Sequence, residues 1–112
     1  TPKPSDQDID IAVQKIKVLG STARNSLAQV KADSIQRLQS ALKNEYVEAR
    51  DVKQAADAIE NIEQKFGIFL LYVRLEAEKK LAGKFFKYES DEARNIHLSM
   101  VRRVKKDGHI DI

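Results

Sequence analysis

The sequence predicts an all-α protein: an elongated antiparallel helical hairpin with one short flanking helix at each end, built to oligomerise. Three observations carry this expectation. Apolar residues recur at three- and four-residue intervals along most of the 112 residues, the period of a helix with one buried stripe. No stretch combines sustained apolar/polar alternation with the turn residues that paired strands require. The strongest periodic segment repeats every seven residues, as a helix packed along another helix does.

Taken in order, residues 1–20 predict a first helix. Ser5 is placed to cap it, with Asp6 and Asp8 in the first turn, Ile9, Val13, Ile16 and Leu19 as its stripe, and Gly20 as its stop. Ser21 or Thr22 then caps the first arm of a hairpin over residues 21–83. Its inward face reads Leu27, Val30, Ile35, Leu38 and Leu42, and Arg24, Lys31, Gln36, Arg37 and Lys43 lie on its other faces. The second arm carries Val52, Ala55, Ile59, Ile62, Phe66, Phe69 and Val73 in strict 3-4 alternation, a heptad seam expected to form the core of the hairpin or of an oligomer. Ile68, Leu70, Leu71 and Leu75 broaden the apolar surface near Val73, and a helix apolar on several sides needs more than one neighbour. Gly67 marks either the close approach of another backbone or a tolerated glycine. Residues 84–112 form the basic end: Ser90 caps a last helix with Asp91 and Glu92 in its first turn, Ile96, Met100 and Val104 buried, and Gly108 as its stop.

The segment ALKNEYVEARDVKQA, residues 41–55, contains neither glycine nor proline, yet it should turn. The stripe ending at Leu42 and the seam beginning at Val52 are ten residues apart, so a straight helix would misalign them by roughly 80°. Asn44 suits the left-handed conformation at a helix end, and Tyr46 and Val47 favour extended backbone. With Glu48 as N-cap, Asp51 falls in the first turn of the next helix. The alternative is a continuous helix that absorbs a stutter.

A chain with 42% hydrophobic and 33% charged residues should fold, and its length allows one modest core. The absence of cysteine excludes disulfides and thiolate metal sites. The apolar run IFLLYV, residues 68–73, is too short to span a bilayer, and Thr1-Pro2-Lys3-Pro4 shows no secretion signal, so no membrane partner and an intracellular, cytoplasmic location are expected.

A helix ending in ALKN, the corner EYVEARDV, a long helix with the apolar centre FGIFLLYV closing in LAG, and a short charged helix together resemble the C-terminal half of phage terminase small subunits of the lambda type, over residues 27–106. The resemblance implies a non-catalytic part of a viral DNA-packaging motor. Such a protein oligomerises, contacts double-stranded DNA and engages a large-subunit partner, here in the host cytoplasm. Members of that family read DNA with an N-terminal winged helix-turn-helix, for which residues 1–20 leave no room. Base-specific recognition is therefore not carried over.

The residues point away from enzymatic chemistry. His97 and His109 lack partners at metal-ligand spacing, and His97 is expected to be a partly buried structural histidine. Glu60, Glu63, Glu76 and Glu78 lack the Glu-x-x-His pairing of di-iron bundles and are expected to be solvated flanks. The four glycines are isolated, so no phosphate loop exists, and no cofactor or metal is expected. Charge carries more promise. Between residues 79 and 106 nine basic side chains face three acidic ones. Lys84, Lys87, Arg102, Arg103, Lys105 and Lys106 are the candidates for contact with DNA phosphates, or else the solvated end of a helix whose dipole they complement. Phe85, Phe86 and Tyr88 either plug the hinge over the core or stack on bases. Two function classes follow: a self-associating assembly protein with weak phosphate contact, or a protein-interaction adaptor without a nucleic-acid partner.

Overall fold

The computed structural model describes Lys3 and residues 5–110. The reading of Thr1, Pro2 and Pro4 lies outside those residues. The described chain forms three α-helices and no strand: α1 (Asp6–Lys43), α2 (Ala49–Ala82) and α3 (Asp91–Asp107), with a 3-10 turn (Gly83–Phe85) after α2. Its axial extents are 64 × 31 × 26 Å and its radius of gyration is 18.7 Å. A compact chain of this length would have a radius of about 13 Å, so the molecule is elongated. Among the described residues, no helix is long and apolar enough to cross a membrane.

The starts and stops are set locally. Ser5 caps α1 in a reciprocal pairing: its Oγ accepts from the Asp8 N–H at 3.1 Å, and its own N–H donates to the Asp8 carboxylate at 3.3 Å. Ser90 caps α3 through the Ala93 N–H, and Gly108 ends it in the left-handed conformation. The chain turns between residues 43 and 49. Asn44 keeps a negative φ of −88°, and Glu45 is the residue that takes the left-handed conformation, at φ 63°. Glu48 enters α2 extended, without a side-chain cap bond.

One expected boundary is absent. The helix runs through Gly20, Ser21 and Thr22 without a break, so there is no separate N-terminal helix and no cap at position 21 or 22. The reason lies across the interface. A Cβ at Gly20 would stand 2.6 Å from Arg74 Cδ, so the glycine is a hollow in the middle of α1 through which an α2 side chain passes.

The two long helices run antiparallel, as their ion pairs show. Lys17 meets Glu78 at 3.0 Å, Arg24 meets Glu63 at 2.5 Å, and Lys31 meets Glu60. Lys17, Arg24 and Lys31 recur every seven residues, one basic heptad position on α1 facing acids on α2. Arg24 and Lys31 therefore belong to the interface and not to outer faces. Glu63 and Glu78 are buried and Glu60 is paired, so these three are not solvated flanks. Gly67 mirrors Gly20: the Arg24 guanidinium lies 3.1 Å from where its Cβ would be. A guanidinium, and not another backbone, fills the space.

Candidate functional site

Because charged residues of α2 meet α1, the heptad seam is split, part of it half-buried and part pointing outward. Glu63 and Ile62 are neighbours in sequence and sit about 100° apart around a helix. Turning Glu63, Gly67, Arg74 and Glu78 toward α1 therefore swings Ile62, Phe66 and Val73 outward, where they are 54%, 38% and 46% exposed. These three do not form the core between the long helices. Val52, Ile59, Phe69 and Leu70 are half-buried. The stripe continues sideways onto α1, since Leu27, Val30, Ile59 and Ile62 line one apolar groove of about 200 Å³. Only Leu75, Ala93 and Met100 are buried apolar residues among those described.

The third face of α2 holds α3 through a node centred on His97, which is 0% exposed. Its Nδ1 lies 2.7 Å from the Tyr88 hydroxyl and its Nε2 lies 2.8 Å from a Glu76 carboxylate oxygen. Its ring stacks on Tyr72 with centroids 5.6 Å apart. Burial pushes the Tyr72 hydroxyl above its ordinary range, and the charge of Glu76 adds to the effect. Phe86 packs edge-on against Tyr88, whereas Phe85 is exposed beneath the Lys84 ammonium at 5.3 Å. The aromatic cluster is thus divided: Phe86 and Tyr88 close the joint and Phe85 does not.

The six candidate basic residues are all exposed, but they do not form one patch. Lys84 and Lys87 lie before α3, and Arg102, Arg103, Lys105 and Lys106 lie near its end, with roughly 17 Å of helix between the two groups. The helical period places Arg102, Lys105 and Lys106 on the face of α3 opposite Ala93, His97 and Met100. Arg94, about 100° around the helix from Ala93, flanks that row, is exposed, and was not among the sequence candidates. Arg103 and Lys106 also border a polar depression of about 260 Å³. Among the described residues, no ion pair neutralises this row, in contrast to Arg24 and Arg74, whose guanidiniums are held by Glu63 and by Glu78 with Glu89.

No protein-family model, curated protein or solved structure matches the chain. Two surfaces of the molecule stand out, the apolar stripe of α2 and the basic row of α3. Among the described residues there is no group of three or more side chains suited to hold a metal ion.

Proposed function

We propose that the chain is a non-catalytic assembly protein: a helical hairpin that self-associates through the outer stripe of α2 and contacts the phosphate backbone of double-stranded DNA through α3. One observation carries the reading. Ile62, Phe66 and Val73 of the heptad seam stay exposed beside an α1–α2 contact threaded with ion pairs, and so few apolar side chains are buried among the described residues that a second layer is needed to complete a core. The row of Arg94, Arg102, Lys105 and Lys106, which no ion pair neutralises among the described residues, supports weak contact with phosphates that reads no bases. Viral DNA packaging beside a large subunit is the setting that the resemblance to terminase small subunits adds.

Light scattering at micromolar concentration should report particles heavier than the 12.7 kDa chain. Binding to a duplex of arbitrary sequence should fall steeply with salt, and replacing Arg102, Lys105 and Lys106 by alanine should flatten that dependence. The separation of Lys84 and Lys87 from the α3 row favours a second reading, an interaction adaptor that binds no nucleic acid. Absence of duplex binding at low salt, with self-association intact, selects that reading.

A further inference from the structure

Resting on the self-association proposed above, we infer that a second copy of this chain covers the α2 stripe in an antiparallel, two-fold orientation. Phe66 of one copy meets Phe69 of the other, and Ile62 meets Val73. The stripe is symmetric in residue type about its middle: β-branched Ile62 and Val73 flank Phe66 and Phe69. Reversing the helix therefore lays large side chains against large ones and branched against branched, as a self-complementary two-fold contact requires.

Charge chooses the direction. Followed outward at the helical period, the stripe ends in the exposed Glu48 and Asp51 on one side and, past Glu76, which His97 holds, in the exposed Lys80 on the other. A parallel pair would bring the acids of both copies together and the lysines of both copies together. The antiparallel pair places Lys80 of each copy within about one turn of Asp51 of the other, and Ala55 opposite Lys80 leaves room for the lysine stem. Both partner helices of the same chain leave Ile62, Phe66 and Val73 exposed, because α1 covers the face of Glu63, Gly67 and Glu78 and α3 covers that of Tyr72 and Glu76.

Thiol cross-linking tests the orientation, and the chain has no cysteine of its own. Ile62→Cys, Val73→Cys and the double variant are first checked for self-association by light scattering. They are then oxidised with oxidised glutathione, which is reduced as two thiols become one disulfide. Positions 62 and 73 of one helix are roughly 16 Å apart, beyond the Cα span of about 7 Å that a disulfide bridges, so no link closes within a chain. The expected result is a covalent dimer on a non-reducing gel from the double variant and from a mixture of the two single variants, and none from either single variant alone. A covalent dimer from one single variant alone overturns the antiparallel orientation. So does self-association by light scattering without any cross-link, which leaves the proposed self-association standing. A parent chain that is monomeric at every concentration removes both.

Discussion

His97 meets the Tyr88 hydroxyl at Nδ1 and the Glu76 carboxylate at Nε2, so both ring nitrogens have a partner. Because the ring is fully enclosed, His97→Ala should cost about 2–4 kcal/mol in urea unfolding, against about 1 kcal/mol for Tyr88→Phe. Nothing local in the sequence announces this node, since Glu76 and His97 are 21 residues apart and meet only when α3 folds back. Alkaline pH should weaken the fold. The Tyr72 hydroxyl is raised above its ordinary 10.0 and the Lys31 ammonium above its ordinary 10.5, the latter chiefly by its hydrogen bond to Glu60. Both groups hold their protons more tightly folded than unfolded, so their contribution is complete below about pH 10 and is lost as pH rises past it. Thermal melts between pH 8 and 11 should show the decline, and Tyr72→Phe should reduce its slope. Gly20 supplies a sharper test. Alanine is favoured over glycine in a helix by about 1 kcal/mol, yet Gly20→Ala should destabilise, because its Cβ would displace Arg74 from Glu78 and Glu89. In an Arg74→Ala background the same substitution should become stabilising, and a double-mutant cycle of urea midpoints reads the reversal.

At the scale of elements, the corner was legible and the continuity of α1 was not. Ten residues of phase between two apolar stripes demand a turn whatever the local residues are, and the chain does turn between residues 43 and 49. Its details escaped, because either Asn44 or Glu45 leaves the helix acceptably and the packing of α1 on α2 selects between them. Gly20 misled for a related reason: a glycine before Ser and Thr has the local signature of a helix end, and only Arg74, 54 positions away, reveals that its missing side chain serves the interface. Ala49, the first residue of α2, gives the element-scale prediction. Proline is tolerated at that position, where its fixed φ suits the helix and its missing N–H has no helical partner. Ala49→Pro should leave helical circular dichroism and melting temperature nearly unchanged. Ala58→Pro, inside α2, should cost about 3 kcal/mol or more by the same measurement.

Across the whole molecule, the heptad of α2 was readable but its direction was not. Period alone cannot say which of several faces a neighbour takes, and here charged residues and a glycine hollow meet α1 beside the half-buried part of the seam. The basic residues could likewise be counted but not gathered, because their grouping depends on where α3 begins. Phe66→Asp tests the outer stripe as a whole. The side chain is 38% exposed on the single chain, so helical secondary structure should persist while light scattering falls to the 12.7 kDa of one chain. The attachment of α3 is one-sided. The helix packs against α2 and not against α1, held by the His97 node and preceded by Gly83 at φ 55° with open space around it. A helix fastened on one side should open by itself, ahead of global unfolding. In native-state amide exchange, α3 should therefore lose protection as one cooperative unit while the middle of α1 and α2 stays closed. Whatever the basic row touches is then held by the least stable third of the protein, and a bound partner should slow exchange there first.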